Sequence, residues 1–195
     1  MARPAARRPQ LGPALRRIVR DAAAKLPEFS HVRASQILIV AGEARRASRA
    51  TIRPLGDRAQ RPEVWFRGTR ILYVVTLRPR FFRDSTPEAR VATLLHELYH
   101  ISGRFDGTLH RGRRHAVLGP RFARRLRPIV HRYVEQMAPE LLAGVAHHGE
   151  VLVRQWLEKP PHVTGRGRGL VRRHYDEAQL FLGPVRMITR RPRRA

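Results

Sequence analysis

The sequence predicts an α+β fold, with a small β-sheet packed on one amphipathic helix and an additional helical or irregular segment at the C-terminus. Three observations predict it. Short apolar or β-branched runs lie at Gln36–Ala41, Ala50–Pro54, Val64–Arg67 and Ile71–Leu77. A helix with clear start and stop signals follows them and carries H-E-L-Y-H at residues 96–100. Apolar residues also recur at helical spacing before the strands and after that helix.

Residues 1–13 are rich in Arg, Pro and Ala, a composition expected to be disordered. Leu15, Ile18, Val19, Ala22 and Leu26 then predict a first helix that ends before Pro27. The strands come next, with a polar turn at Arg45–Arg49 and a hairpin around Gly68-Thr69. Phe81 and Phe82 lead into Asp84-Ser85-Thr86. Thr86 is the expected N-cap of the motif helix, Pro87 its first residue, and Glu88 sits near its positive end. Val91, Leu94, Leu95, Leu98 and Ile101 form one apolar stripe, and His96 and His100 fall nearly opposite it. Gly103 is placed to terminate the helix.

A turn-rich stretch, Ile101–His115, precedes an amphipathic helix over Arg121–Met137 that Pro128 should interrupt. Apolar residues between Leu141 and Leu157 suggest one or two further helices, weakened by Gly144 and Gly149. Thr164–Gly169 reads as a flexible basic linker. Leu180–Leu182 and Val185–Ile188 read as short strands, and Arg190–Ala195 as a basic tail. The expected organisation is a basic N-terminus at 1–13, a main domain at 14–137 and a basic C-terminal extension at 138–195.

Composition removes several classes of chemistry. The chain has no Cys, which excludes disulfides, thiolate metal sites, iron–sulfur clusters and a Cys nucleophile. No apolar run reaches the ~18–20 residues of a membrane span, and no apolar segment follows the basic N-terminus as in a secretory signal. A cytoplasmic protein without a membrane partner is expected. The net charge is +25, and only Lys25 and Lys159 of the 40 basic residues are lysine. A field of that sign attracts polyanions, so non-specific nucleic-acid association through the Arg-rich surface is expected.

The motif points to metal chemistry. Two histidines four apart on a helix share a face and can grip one Zn²⁺. Glu97, beside them, is placed to act as general base on water activated by the metal. A sheet strand beside the site can pair with an extended peptide and lay it along the cleft. A third metal ligand must come from elsewhere. Asp106 follows His100 in the pattern H-E-x-x-H-x-x-G-x-x-D, and His115 stands just before the next helix. One of these two is expected to bind the metal and the other to orient a ligand. His110 and the more distant Glu135 rank behind them. The alternative reading is a basic, nucleic-acid-associated protein whose metal site is structural or inactive.

The residues L-L-H-E-L-Y-H-I, F-D-G-T-L-H-R-G-R-R-H and G-P-R-F resemble the phage-type metallopeptidase family, and more distantly the SprT-like zincins, over residues 30–137. The resemblance implies a small zincin-type α+β fold and zinc-dependent hydrolysis of peptide or protein substrates. It carries His96 and His100 over as zinc ligands and Glu97 as the catalytic base. The family has several histidines near the start of the following helix. Here Val117, Leu118 and Gly119 occupy that stretch, and His115 alone remains. The zinc ribbon that SprT-like proteins often add has no counterpart in this Cys-free chain.

Overall fold

The structure, a computed structural model, describes residues 8–42, 48–55, 63–147, 149–156, 173–175 and 180–187. The first seven residues, most of the polar turn at 45–49, the linker at 164–169 and the basic tail lie outside the described residues.

Helix α1 (Leu11–Lys25) buries Leu11, Leu15, Ile18, Val19 and Ala22 on one face. It starts inside the stretch expected to be disordered. Gln10 bridges to Leu152, and the Leu152 N–H donates to the Pro9 carbonyl at 2.8 Å, so a distant strand anchors the chain just ahead of the helix.

Strands β1 (Ile37–Ala41), β2 (Ala50–Pro54), β3 (Val64–Phe66), β4 (Thr69–Ile71) and β5 (Tyr73–Leu77) follow. Helices α2 (Pro79–Arg83), α3 (Pro87–Tyr99), α4 (His115–Leu118), α5 (Pro120–Gln136) and α6 (Pro139–Ala143) come next. Strands β6 (Gly149–Trp156), β7 (Arg173–Tyr175) and β8 (Leu180–Met187) end the described chain. Among the described residues the main sheet has five strands in the order β2-β5-β1-β6-β8, and a smaller sheet has the order β4-β3-β7. β1 is parallel to both β5 and β6, while β2 and β8 run antiparallel at the two ends.

β1 is a continuous apolar run because it is covered on both faces. Ile37, Ile39 and Ala41 join the core built with α1 and α3, while Leu38 and Val40 pack with Val64, Phe66 and Ile71. The β3–β4 turn is Arg67-Gly68, with φ of 49° and 72°, one residue earlier than expected. Positive φ at both central positions suits the twist of a tight hairpin, and Gly68 adopts it without steric cost. The run Ile71–Leu77 serves two sheets. It divides at Leu72, whose N–H donates to the Gln36 carbonyl at 2.9 Å and whose carbonyl accepts from Leu55 N–H at 2.7 Å.

The C-terminal part differs from expectation. The helix predicted across residues 141–157 is only the short α6, followed by the strand β6. Val151 and Val153 are buried on alternate positions of β6, a period-two pattern that suits a sheet. β6 lies beside β1, and β8 pairs with it along its length. Residues beyond 138 therefore complete the main sheet. β8 runs unbroken through Gly183-Pro184; proline is tolerated because β8 is the sheet's terminal strand. Pro128 does not interrupt α5 either. It and Arg124 are exposed, so the carbonyl left without a helical partner faces water.

The buried Arg90 of α3 is 0% exposed. Its guanidinium donates to the carbonyls of Phe81, Phe82 and Val145, which ties the motif helix to α2 and to the segment entering β6. No helix among the described residues is long and apolar enough to cross a membrane.

Candidate metal centre

Helix α3 begins as its sequence dictates. Thr86 Oγ1 accepts the Ala89 N–H at 3.2 Å, and Pro87 occupies the first turn. Val91, Leu94, Leu95 and Leu98 are buried, which turns His96 and His100 toward the opposite side. Their ring centroids are 5.1 Å apart.

The third histidine arrives through the loop that follows. Ile101 pairs with Leu109, the Ser102 N–H donates to the Thr108 carbonyl, and the His110 N–H donates to the His100 carbonyl at 2.8 Å. The segment after the helix thus doubles back. Phe105 and Gly107, at φ of 51° and 76°, make the turn. Tyr73 clasps its tip: the hydroxyl donates to the Thr108 carbonyl at 2.9 Å and accepts from Gly107 N–H at 3.0 Å. Residues 110–115 are carried back to the end of α3, and His115 opens α4 beside it.

Nε2 of His115 lies 3.0 Å from Nε2 of His96. The nearest ring nitrogens of His96, His100 and His115 all fall within 4.8 Å of one another, a set that can hold a metal ion. Phe122, buried in the first turns of α5, packs against all three rings at centroid distances of 4.7, 4.8 and 4.3 Å. His100 is oriented further: its Nδ1 lies 2.8 Å from the Arg113 carbonyl. That bond puts the proton on Nδ1 and leaves Nε2 free to bind a metal. The Arg113 guanidinium sits 4.3 Å from the Tyr99 ring centroid, which steadies the segment.

Asp106 does not join this group. It sits at the tip of the doubled-back loop, where Oδ1 accepts from the backbone and hydroxyl of Thr108 at 3.1 and 2.6 Å and Oδ2 faces Arg104. These hydrogen bonds, the Thr108 hydroxyl first, hold its carboxyl below the usual carboxylate range. His110 and Glu135 also stand outside the gathered set; Glu135 faces His131 on the exposed side of α5.

Glu97 is 6% exposed. Burial pushes its carboxyl up to about 7, opposed by the N–H of Ile52, which the carboxylate accepts, and by the charge of Arg78. Burial likewise lowers His96 to about 4, with His100 and His115 adding repulsion, and lowers His100. The two helical imidazoles are therefore neutral at ordinary pH, the state in which a ring nitrogen binds a metal.

A cleft of about 950 Å³ opens over His96, Glu97 and His115. α3 contributes Ala89 and Ala92, and α5 contributes Phe122, Leu126 and Val130, giving an apolar floor; Arg49, Arg80 and Arg127 line it as well. Among the described residues β2 ends the main sheet on this side, and Ala50 lines the cleft. The Arg78 N–H donates to the Arg49 carbonyl. In antiparallel pairing the next residue, Ala50, then turns its backbone groups away from β5 toward the open edge.

The positions sequence reasoning missed are Ile52, whose backbone meets Glu97, the Arg113 carbonyl, and Phe122 beneath the rings. The first two act through the main chain and leave no mark on residue identity. Phe122 falls on the apolar stripe of α5 and reads as ordinary core.

A family model described as putative phage metallopeptidase matches residues 11–121, a span that contains all three histidines and Glu97. No curated protein and no solved structure matches the chain.

Proposed function

The chain belongs to the putative phage metallopeptidase family, and from that premise we propose that it is a zinc-dependent peptidase acting on peptide or protein substrates. The observation that carries the proposal is the gathering of three histidines around one point beside a buried glutamate. His96, His100 and His115 would hold the ion. A set of three imidazoles suits zinc, and family membership implies a metal. When bound, zinc supplies Lewis acidity toward water and toward a peptide carbonyl.

The chain's own residues do the rest. Glu97, raised to about 7, can take a proton from the attacking water and return it to the leaving amine. The Ile52 N–H holds that carboxylate in place. The open edge at Ala50 can pair with an extended peptide, and the apolar floor at Leu126 and Val130 can receive its side chains.

The test is elemental analysis of untagged protein, joined to a peptide-hydrolysis assay. The expected result is one equivalent of zinc in the wild type, none in His96→Ala, and zinc without hydrolysis in Glu97→Gln. A wild type that takes up no zinc when zinc is offered, or a Glu97→Gln protein with undiminished turnover, overturns the proposal.

A further inference from the structure

Helix α5 meets the core along one narrow stripe, where Phe122, Leu126, Ile129 and Tyr133 are buried. The rest of its circumference is exposed or half-buried, so the helix stands out from the surface as a ridge. The ridge and the segment that leads into it are strongly cationic: residues 107–134 contain eight arginines and no Asp or Glu. Arg132 is paired with Glu28, and Arg113 lies against Tyr99. Arg121, Arg124, Arg125 and Arg127 are exposed on the first two turns of α5. Glu135, the single acidic residue of this helix, lies near its other end and faces His131. With about 100° between successive residues, Arg124 falls opposite the buried stripe, Arg127 to one side of it, and Arg121 and Arg125 to the other. Most of α5 lies beyond residues 11–121, which the family model matches, so family membership does not account for this face.

A ridge with cations on its crest and both flanks fits between two lines of negative charge. An α-helix is ~10–12 Å across with its side chains, and the major groove of B-form DNA is ~12 Å wide with a phosphate backbone along each edge. The guanidinium fork matches phosphate oxygens two at a time. Duplex RNA fits less well, because its major groove is deep and narrow. Protein interfaces and membrane surfaces are engaged through apolar or aromatic anchors, and α5 exposes no large apolar side chain. We propose that the arginine face of α5 binds double-stranded DNA through its phosphates, with the helix lying along the major groove.

The whole chain is cationic, so the test must separate this face from the general field. Full-length wild type, R121Q/R124Q/R125Q and the equal-charge control R17Q/R20Q/R33Q are compared by anisotropy of a short labelled DNA duplex over a range of salt. All six positions are exposed, and an unchanged thermal midpoint verifies folding. Arg127 is left in place because it lines the histidine cleft. The α5 variant should lose about tenfold or more in affinity near physiological salt, and its slope of log affinity against log salt should be shallower by about 2–3. The single variant R124Q should lower that slope by about one, which keeps the test open if the triple variant is unstable. The control should change both quantities much less. Equal changes in the α5 variant and the control, or no duplex binding at low salt, overturn the proposal. So does an RNA duplex of the same sequence, or polyglutamate, bound as tightly as the DNA.

Discussion

Nε2 of His96 and Nε2 of His115 stand 3.0 Å apart, although nineteen residues separate them in the chain. Two nitrogens that each bind one tetrahedral zinc at ~2.0–2.1 Å are roughly 3.3 Å apart, so little movement is needed to share an ion. Removing any one of the three imidazoles should therefore release it. Zinc affinity should fall by more than about 100-fold in His115→Ala, since even partners outside the ligand set are worth 10–100-fold. Asp106→Asn should leave it nearly unchanged. Competition with a chromophoric chelator measures both. A zinc affinity lost in Asp106→Asn and kept in His115→Ala would reverse the assignment.

Glu97 is held in a position that costs stability. Its carboxyl is raised from 4.5 to about 7, chiefly by burial, so above neutral pH the metal-free fold carries a poorly solvated charge. Glu97→Gln removes that charge and keeps an oxygen for the Ile52 N–H. The variant should be more stable than wild type by about 2–3 kcal/mol near pH 8 in the metal-free state. Urea unfolding in chelator measures this, and an equal or lower midpoint contradicts it.

Acid should weaken the metal-free protein through its histidines. His31, His96 and His100 are all lowered from 6.5, with burial the largest cause for each. The unfolded chain then binds more protons than the folded one below about pH 6.5, so stability falls as pH falls toward 4. Glu97 has the opposite sign: it favours the fold most below 4.5 and loses that contribution as pH rises through 7. Replacing it with Gln should steepen the acid loss. Unfolding midpoints taken from pH 7 to 4.5 in wild type and Glu97→Gln test the sign, and a flat Gln profile would refute it.

Arg90 holds three backbone carbonyls in the interior. Arg90→Ala leaves them without a donor and opens a cavity, at a cost of about 3–5 kcal/mol. Arg90→Lys keeps the charge but not the three-way geometry and should recover only part of it. Thermal or urea unfolding ranks the three proteins; an Ala variant as stable as the Lys variant would show that the carbonyls find other partners.

Local features were legible in the sequence because local interactions make them. The cap at Thr86 forms with Ala89, and the spacing of Val91, Leu94 and Leu98 decides which way His96 and His100 face. The β-branched runs became β1, β2, β3 and β5, since alternation and turn chemistry act over a few residues. The first helix was legible for the same reason, apart from its start at Leu11, which depends on the distant Leu152.

By itself, then, the sequence determined the motif helix, the direction of its two histidines, the absence of thiol chemistry and the strong positive charge. The tertiary structure decided the rest. Asp106 and His115 were equal candidates by spacing, and the pairing of Ile101 with Leu109 sends one to a loop tip and brings the other to the helix. The segment after residue 138 read as an appendage, yet β6 lies in the sheet beside β1 because the open side of β1 accepts it. The raised carboxyl of Glu97 likewise depends on β2 and Arg78 standing against it. Each of these outcomes rests on contacts between residues far apart in the chain, which short-range propensity and spacing do not encode.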